Sequence, residues 1–312
     1  MSEVLEYAAF TTVPSGGNPA GVVLDAVGWD VGRMQAVAAE LGHSETAFVV
    51  GVASSGTGSA DDAAGGVGDG ESLTVRFFTP ETEVSFCGHA TLATAIAWAE
   101  RHGAGTRTFR VEAGEVSVTV LEEHGALVGE LMTVPARSEP ATPELVADVL
   151  LALRWGVEDL DPSWTPHLAY AGASHLVLVT ASRGRLAALD YAYDELRGVM
   201  VRAGLTTLQL VHPTGPDAFA SRNPGPSVGI HEDPATGAAA GALGAYLRVV
   251  DSRDDVREVE VVQGEDMGRR SVLRVTIDPA DDRMRVAGTA VPLASLVEEP
   301  RDEASRNRGA PS

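Results

Sequence analysis

The fold is decided by the stretch Ser85-Phe86-Cys87-Gly88-His89-Ala90-Thr91-Leu92, continuing to Ala99, and by its counterpart Pro234-Ala235-Thr236-Gly237-Ala238-Ala239-Ala240-Gly241, continuing to Leu247. Neither stretch contains Asp, Glu, Lys or Arg. A soluble helix normally has a charged face, so a helix without one is expected to be buried. Glycine near a helix start lets a ligand approach, and the free N–H groups there attract an anion. The sequence therefore predicts two buried helices whose N-termini form one anion site built twice.

The composition is that of an acidic protein with enough apolar residues to form a core. The chain has 312 residues, 44% of them hydrophobic, and this length favours two domains. It carries 23 Lys and Arg against 44 Asp and Glu, and the net charge of −21 argues against nucleic acid or an anionic membrane as partner. An anionic substrate would have to be held by local dipoles and by His or Arg side chains.

Cysteine and histidine usage favours neither a disulfide-rich nor a metal-binding protein. Cys87 is the one cysteine in the sequence, which excludes an internal disulfide and a Cys-rich zinc site. Because there is no Cys/His cluster and no H-E-x-x-H motif, we expect no metal site. The segment Gly16-Gly17-Asn18-Pro19-Ala20 lacks the Lys-Ser/Thr of a P-loop, so a nucleotide site is not expected either.

The N-terminal segment Met1-Ser2-Glu3-Val4-Leu5-Glu6-Tyr7 lacks the basic and apolar regions of a signal peptide. No apolar stretch reaches the roughly 18 residues of a membrane-spanning helix. We therefore expect a cytoplasmic protein without a membrane partner.

Apolar periodicity predicts the secondary structure along the chain. Strands are predicted at residues 5–10, 20–24, 46–52, 73–78, 108–111, 116–121 and 127–132, and again at 175–180, 207–211, 218–222, 256–263, 272–277 and 284–290. Helices are predicted at residues 31–41, 143–153 and 194–203, besides the two uncharged helices. By composition, residues 53–71 are predicted to form a loop, residues 134–142 a linker and residues 298–312 a disordered tail.

Both halves of the chain follow one order of elements: strands, a helix, more strands and then an uncharged helix rich in Gly and Ala. This is a weak internal repeat, visible in the order of elements more than in residue identity. It favours an α+β chain of two similar domains, residues 1–133 and 134–297, with the functional site in the cleft between them.

Two residues are candidates for acid–base chemistry on local grounds. Glu45 lies between a predicted helix and an apolar strand, where a buried carboxylate would have a raised pKa suited to a general base. An exposed Glu45 would instead be a loop or cap residue. His89 lies one residue into the first uncharged helix, where the dipole favours a neutral imidazole that can bond a substrate or shuttle a proton. The alternative for His89 is a core histidine bonded to a backbone carbonyl.

Asp233 and Cys87 have simpler interpretations. Asp233 precedes Pro234, which indicates an N-cap carboxylate followed by proline at the first helical position, with a substrate-binding role as an addition. Cys87 lies two residues before His89, a spacing at which helical side chains do not face each other. The thiol is therefore expected to be a packing residue rather than a nucleophile.

A set of short motifs occurs in order between residues 8 and 275: Gly17-Asn18-Pro19-Ala20-Gly21, Met34-Gln35, Ser44-Glu45-Thr46-Ala47-Phe48-Val49, Val75-Arg76-Phe77-Phe78-Thr79-Pro80, Glu83-Val84, Cys87-Gly88-His89-Ala90-Thr91-Leu92-Ala93, Glu232-Asp233-Pro234-Ala235-Thr236-Gly237, Gln263-Gly264 and Met267-Gly268-Arg269. Each motif is weak alone, but the ordered set is specific. In this set the chain resembles the phenazine-biosynthesis PhzF-like family of isomerases, which shares the diaminopimelate epimerase fold.

The resemblance implies two similar domains, each a bent, mostly antiparallel sheet wrapped around one of the central buried helices. It also implies a cofactor-free isomerase that acts as a homodimer in secondary metabolism on a small carboxylate-bearing substrate. By this resemblance Glu45 is the general base that moves a proton on the substrate, with His89 and Asp233 as the other catalytic residues. The substrate-binding positions that it implies are Asn18, Gly88, Ala90, Gly237 and Ala238.

The chain also departs from its relatives. Many of them have Ser after the glycine of the D-P-x-T-G motif, where this chain has Ala238, so one hydroxyl contact to the substrate is missing. Related epimerases use two cysteines, one at each helix start; Cys87 matches the first, whereas the second helix start offers Ala238 and Ala239. Two-thiol racemisation is therefore unavailable. Two alternatives stay open: a binding or regulatory protein that keeps the cleft without turnover, and a cysteine hydrolase. Neither the substrate nor a phenazine pathway follows from the sequence.

Overall fold

The computed structural model describes residues 3–54 and 70–293. Most of the predicted loop at residues 53–71 and the whole predicted tail at residues 298–312 lie outside the described residues. Within the described ranges, backbone pairing connects 17 strands into one continuous sheet.

The described residues of the first half contain two helices. Helix α1 (Val31–Leu41) begins after Asp30, whose carboxylate accepts the N–H of Arg33, and ends at Gly42 in the left-handed conformation. Helix α2 is Gly88–His102. The strands are β1 (Leu5–Ala9), β2 (Asn18–Val23), β3 (Glu45–Ser54), β4 (Glu71–Phe78), β5 (Glu83–Val84), β6 (Gly105–Val111), β7 (Gly114–Glu123) and β8 (Ala126–Met132).

The second half contains four helices and three short 3₁₀ turns in its described residues. The strands are β9 (Arg137–Pro140), β10 (His167–Tyr170), β11 (Ser174–Val179), β12 (Thr207–Gly215), β13 (Ala218–Gly225), β14 (Ile230–Asp233), β15 (Arg257–Gln263), β16 (Ser271–Ile277) and β17 (Arg285–Pro292). The helices are α3 (Pro143–Leu153), α4 (Arg183–Ala187), α5 (Tyr193–Ala203) and α6 (Gly237–Val250). The 3₁₀ turns are Val157–Asp159, Pro226–Val228 and Glu265–Met267.

Strand pairing shows the predicted internal repeat directly. In the first half β1 is antiparallel to β2, β2 parallel to β3, β3 antiparallel to β4, and β4 antiparallel to β5 but parallel to β6. The strands β6, β7 and β8 follow as antiparallel neighbours. From β10 to β17 the second half repeats the same order of pairings. The two halves therefore share one topology, and α2 and α6 occupy the same place in it.

The last strand of each half joins the other half. Strand β17 pairs with β8 and, further along, with β1. Strand β9 pairs with β10. The composition of residues 134–142 predicted a linker. The structure corrects this, because residues 137–140 supply a strand to the second half. Backbone hydrogen bonds there outweigh the weak strand propensity of Ser, Glu and Pro.

Helices α2 and α6 are the buried centres of the two halves, as their lack of charge predicted. All residues from His89 to Ala99 in α2 and from Ala239 to Leu247 in α6 are buried. Helix α2 packs against β1, β2, β3, β6, β7, β8 and β17, while α6 packs against β9 to β12, β16 and β17. This confirms the predicted α+β class. No helix in the part of the chain that the structure describes is long and apolar enough to cross a membrane.

Long elements match the prediction better than short ones. Helices α1 and α3 begin and end at the predicted residues, and α5 begins one residue earlier than predicted. Strands β10 and β14 and helix α4 were not predicted; with 4, 4 and 5 residues they are too short to show a period.

Candidate active site

The starts of α2 and α6 have the same form. Cys87 is the N-cap of α2 and Thr236 that of α6, and neither side chain caps its own helix. Gly88 and Gly237 follow them. A Cβ atom on these glycines would come no closer than 4.0 Å and 3.8 Å to another side chain, so the space in front of both helices is open. Since the first N–H groups of a helix have no partner within it, both starts present amides to a ligand.

Glu45 is the acidic residue that faces the start of α2. It is the first residue of β3, where the parallel pairing with β2 places it opposite Ala20. Its side chain is 22% exposed, and Oε2 lies 3.4 Å from Nε2 of His89. The Ser44 hydroxyl lies 3.3 Å from the same nitrogen. The Glu45 carboxylate is thus reachable from solvent and held against an imidazole, an arrangement suited to a general base.

Both ring nitrogens of His89 have partners. Nε2 faces the Glu45 carboxylate, which can only accept a hydrogen bond, so Nε2 carries the proton of the neutral ring. Nδ1 lies 3.2 Å from the amide nitrogen of Asn18 and 3.3 Å from Sγ of Cys87, both of which can donate to it. His89 is buried and bonded to side chains, rather than to a backbone carbonyl as in the alternative left open by the sequence.

Asn18 joins the two halves of the site. Its side-chain nitrogen, besides contacting His89, lies 2.7 Å from Oδ1 of Asp233 and 3.2 Å from the carbonyl oxygen of Ala235. If the Asn18 amide were flipped, its oxygen would face the carboxylate oxygen of Asp233, and the two would repel each other. The contact with Asp233 therefore determines which side-chain atom of Asn18 is the nitrogen. Asn18 is buried, and its side-chain nitrogen is occupied by protein groups. Its role in the structure is to hold the two helix starts together.

Asp233 is not the N-cap that the sequence predicted. It is the last residue of β14, and the helix begins only after Thr236, because the intervening residues form a bend. Oδ2 accepts a hydrogen bond from the Thr236 hydroxyl at 2.7 Å, and Oδ1 accepts from Asn18. Burial raises the pKa of Asp233 to about 6, although His89 and the Thr236 hydroxyl act to lower it. Asp233 is therefore a fixed carboxylate that orients the polar groups before α6.

Gln263 anchors the segment between β14 and α6. Its side-chain nitrogen donates to the Asp233 carbonyl at 2.7 Å and to the Thr236 hydroxyl at 3.0 Å. Its side-chain oxygen accepts the N–H of Thr236 at 3.2 Å. The next residue, Gly264, has φ of +72°, and a Cβ there would lie 2.7 Å from the carbonyl oxygen of Pro234. Glycine is therefore required for this close approach of two backbones.

Cys87 contacts His89, contrary to the prediction from their spacing. Sγ lies 3.3 Å from Nδ1 and 3.8 Å from Nε2. The prediction assumed helical geometry, but the N-cap residue has extended backbone angles, φ −146° and ψ 117°. Burial raises the pKa of the Cys87 thiol, and the nearby Glu45 carboxylate raises it further. The thiol therefore stays protonated at neutral pH and is not an activated nucleophile.

Comparison with known proteins identifies the family. Residues 7–295 match the family described as PhzC-PhzF, phenazine biosynthesis-like protein. The chain belongs to this family. It is 31% identical to the uncharacterized isomerase YddE of Escherichia coli K12, over 93% of this chain and 96% of the relative. It is 36% identical to the uncharacterized isomerase PA2770 of Pseudomonas aeruginosa, over 78% and 80% respectively. These relatives are named isomerases, and this PhzF-like chain is an isomerase.

Solved structures share the fold of this PhzF-like isomerase. A PhzF family protein from Bacillus anthracis aligns with a TM-score of 0.76 at 24% identity, covering 93% of this chain and 97% of that one. A predicted epimerase, PA4716 from Pseudomonas aeruginosa, aligns with a TM-score of 0.74 at 24% identity, covering 94% and 98%. At this level of identity the likeness concerns the fold alone, and it confirms the predicted architecture.

The internal repeat shows that the PhzF-like site has an acidic strand start in one half only. The parallel pair β2–β3 begins with Ala20 opposite Glu45, and the parallel pair β11–β12 begins with His175 opposite Thr207. Thr207 therefore takes the place of Glu45 in the second half. A threonine hydroxyl cannot replace a carboxylate as a base, so the two halves are not equivalent in acid–base chemistry.

The same correspondence corrects the predicted counterpart of Cys87. Both N-caps directly precede a glycine, so Thr236 corresponds to Cys87 and Ala238 to His89. The prediction compared Cys87 with Ala238 and Ala239, which lie two and three residues beyond the actual counterpart Thr236. A second thiol remains excluded, because the chain has a single cysteine.

The other predicted substrate-binding positions differ in accessibility. Gly88, Gly237 and Ala238 are half-buried at the helix starts, where they can reach a ligand. The Ala90 side chain is completely buried. The Ala90 side chain therefore cannot contact a substrate, and its backbone N–H donates to the Cys87 sulfur.

Two matching ion pairs that brace the hairpins before the central helices were missed from the sequence. Arg76 donates to both oxygens of Glu83 at 2.6 Å. Arg222 donates to both oxygens of Glu232, at 2.9 and 2.5 Å. Arg76 lies opposite Phe48 in the first half as Arg222 lies opposite Leu210 in the second. The available signal was an Arg in a strand followed by a Glu shortly before each uncharged helix.

Proposed function

We propose that this isomerase transfers a proton between two carbon positions of a small, carboxylate-bearing substrate, with Glu45 as the general base and without a cofactor. The observation that supports this most is the contact between the half-buried Glu45 carboxylate and the buried imidazole of His89 at the start of α2. A base acting on a C–H group must be reachable by the substrate and close to a group that can share the proton. Glu45 meets both requirements.

The two helix starts provide binding for the substrate carboxylate and for the negative charge that develops during proton abstraction. Gly88 and Gly237 leave room for these groups. Because the protein carries a net charge of −21, attraction of an anion depends on local N–H groups rather than on the overall field. These dipoles are in place before the reaction, which is the condition for effective stabilisation of a transition state.

The proton path involves Glu45 and His89. Glu45 removes the proton from one carbon and returns it to another, either directly or through His89 Nε2, which lies 3.4 Å away. Asn18, at 3.2 Å from Nδ1, and Asp233 keep the ring in position. Cys87 takes no part in the transfer, since its thiol pKa is raised.

Solvent deuterium tests this proposal. Small amino, hydroxy and cyclic carboxylic acids are incubated with the protein in deuterated water, and incorporation is measured by mass spectrometry and NMR against a protein-free blank. We expect deuterium at a carbon of the substrate or product. If a product forms without any deuterium from solvent, and a deuterium placed on the substrate's own C–H group is not recovered at the second carbon either, no proton passes between the two carbons and the proposal is wrong.

A further inference from the structure

Arg269 belongs to the motif Met267-Gly268-Arg269, to which the proposed function gives no role. Its half-buried side chain reaches the first half of the chain and binds the segment just before β2. Nε donates to the carbonyl oxygen of Gly17 at 2.8 Å, and Nη2 donates to that of Gly16 at 2.6 Å. Among the described residues Arg269 forms no ion pair, so its charge is held by backbone oxygens alone. A partly buried cation without a counter-ion costs free energy, which points to a specific role.

The contact with Gly17 controls how the chain enters Asn18. The Gly17 carbonyl belongs to the peptide group that leads into Asn18, and a peptide group is planar, so fixing its oxygen fixes the direction of the next residue. The N–H of Gly17 is also held, because it donates to the Arg270 carbonyl oxygen at 3.1 Å. Gly17 has φ of +66°, and glycine offers little conformational restraint of its own. The orientation of Asn18 therefore depends on these external contacts.

The backbone of Arg269 is connected to the support of Asp233. The N–H of Arg269 donates to the Gly264 carbonyl oxygen at 3.0 Å. Gly264 directly follows Gln263, whose side-chain nitrogen donates to the Asp233 carbonyl oxygen at 2.7 Å. Asn18 in turn donates to the Asp233 carboxylate at 2.7 Å. Arg269 thus closes a ring of contacts, which joins Asn18 to Asp233 by a second route besides their direct hydrogen bond.

From this geometry we propose that Arg269 is a positioning residue of the candidate active site, which sets the place of the Asn18 side chain between the two helix starts. Asn18 lies 3.2 Å from Nδ1 of His89, and the other ring nitrogen of His89 faces Glu45. A displaced Asn18 therefore changes the setting of the imidazole beside the proposed base. The placement of Asn18 is independent of the proposed function, whereas its effect on catalysis rests on that function.

The proposed role requires arginine. Nε and Nη2 of a guanidinium group lie in one plane and point in fixed directions, so they can bind two carbonyl oxygens at once. Lysine keeps the positive charge but carries all its donors on one nitrogen at the end of a flexible chain. A comparison of Arg269→Lys with Arg269→Met therefore separates the effect of the charge from that of the fixed pair of donors.

NMR of the full-length protein tests the placement of Asn18 without any substrate. The chain has three asparagines and three glutamines, so few side-chain amide signals occur, and those of Asn18 are identified by their loss in Asn18→Ser. We expect Arg269→Met to shift the Asn18 signals and to speed their exchange with solvent, and Arg269→Lys to shift them less. A loss of stability alone would leave these signals unchanged in the folded variant.

Arg270→Met is the matched control. The Arg270 side chain is 55% exposed and lies 3.8 Å from Glu265, so its removal takes the same charge from the same loop. The Arg270 backbone carbonyl that binds Gly17 remains in this variant. We therefore expect the Asn18 signals of Arg270→Met to match those of wild type.

Deuterium incorporation measures the consequence for catalysis. Because a small displacement of a positioned group can cost about 100-fold in rate, we expect Arg269→Met to exchange at least about tenfold more slowly than wild type. Arg270→Met should exchange at the wild-type rate. If the wild-type protein exchanges no acid, the proposed function fails, and the NMR comparison still decides whether Arg269 positions Asn18.

Unchanged Asn18 signals in folded Arg269→Met would overturn the proposal. If that variant does not fold, unchanged signals in Arg269→Lys would overturn it in the same way. Equal shifts in Arg269→Met and Arg270→Met would also contradict it, since they would trace the effect to the charge of the loop. A wild-type exchange rate in Arg269→Met, with shifted Asn18 signals, would refute the catalytic part.

Discussion

Two carboxylates near the site differ in environment and therefore in role. Glu45 is half-buried and contacts His89 through one oxygen. Asp233 has both oxygens engaged, by Asn18 and by the Thr236 hydroxyl. A carboxylate held at both oxygens by fixed donors orients its neighbours, whereas a carboxylate that is 22% exposed can meet a ligand and take a proton from it. The geometry thus separates a candidate base from a residue that positions the second helix start.

Burial of Asp233 predicts a specific dependence of stability on pH. Since its pKa is about 6 in the folded protein and 3.8 is the ordinary value, the folded state holds this proton more tightly than the unfolded chain. Its contribution favours folding below about pH 4 and is lost as the pH rises through about 6. Because each tenfold change in proton affinity is worth about 1.4 kcal/mol, the change is at most about 3 kcal/mol.

Denaturant unfolding of wild type and Asp233→Asn checks this prediction. The asparagine does not titrate, so the difference in unfolding free energy, wild type minus variant, should decrease between about pH 4 and pH 7. A difference that stays constant over this range would show that the pKa of Asp233 is not raised by folding.

At the residue level, the sequence predicted which side chains matter better than what each one contacts. Glu45, His89 and Asp233 were identified from motifs, and the structure brings them together. The central position of Asn18 was not predictable, because its partners His89 and Asp233 are 71 and 215 residues away in sequence. The contact of Cys87 with His89 was missed because helix periodicity does not apply to an N-cap residue.

At the level of elements, the two braced hairpins differ in burial. Arg222 and Glu232 have side chains that are 11% and 9% exposed, whereas Arg76 and Glu83 are 32% and 29% exposed. Removing one partner of a buried pair leaves an unpaired charge and costs about 3 kcal/mol or more. Removing one partner of a pair that is more open to solvent costs less, about 1 kcal/mol.

The internal repeat supplies a matched test of this difference. We expect Arg222→Met to lower the free energy of unfolding by about 3 kcal/mol and Arg76→Met by about 1 kcal/mol. Urea unfolding of both variants measures the two values. Equal losses would show that the two ion pairs do not differ in burial as described.

The two glycines that flank the 3₁₀ turn Glu265–Met267 allow a second matched comparison of stability. Gly264 and Gly268 both have φ of +72°, but a Cβ at Gly264 would lie 2.5 Å from the Arg269 carbonyl oxygen, whereas Gly268 has nothing within 4 Å. We expect Gly268→Ala to cost about 1–2 kcal/mol from backbone strain. Gly264→Ala must also displace backbone, so we expect about 3 kcal/mol or more, measured by thermal unfolding. A smaller loss for Gly264→Ala than for Gly268→Ala would contradict the described contact.

Helices were predictable from the sequence where burial imposes a hydrophobic pattern over many residues. This holds for α1 and α3, and for α2 and α6 through their lack of charge. The strands β9, β10 and β14 depend on pairing with distant segments, and pairing leaves no pattern in four residues. The parallel or antiparallel sense of neighbouring strands likewise follows from topology and not from composition.

On the scale of the whole molecule, the two halves share one topology, but only the first half carries the proposed general base. The pairs β17–β1 and β17–β8 join the halves, and Asn18 links their helix starts. Both starts present backbone amides, but only in the first half does the strand that pairs in parallel begin with a carboxylate: Glu45 begins β3, whereas Thr207 begins β12. We therefore expect both halves to bind the substrate and the first half alone to transfer the proton.

Replacement of Glu45 tests this account most directly. With a substrate found by deuterium incorporation, the exchange rate of Glu45→Gln is compared with that of wild type and of the control Glu40→Gln, after circular dichroism has shown that all three are folded. We predict a loss of at least about 100-fold for Glu45→Gln, because the amide cannot accept the proton, and an unchanged rate for the control. Exchange by Glu45→Gln at nearly the wild-type rate would contradict the assignment of Glu45 as the base.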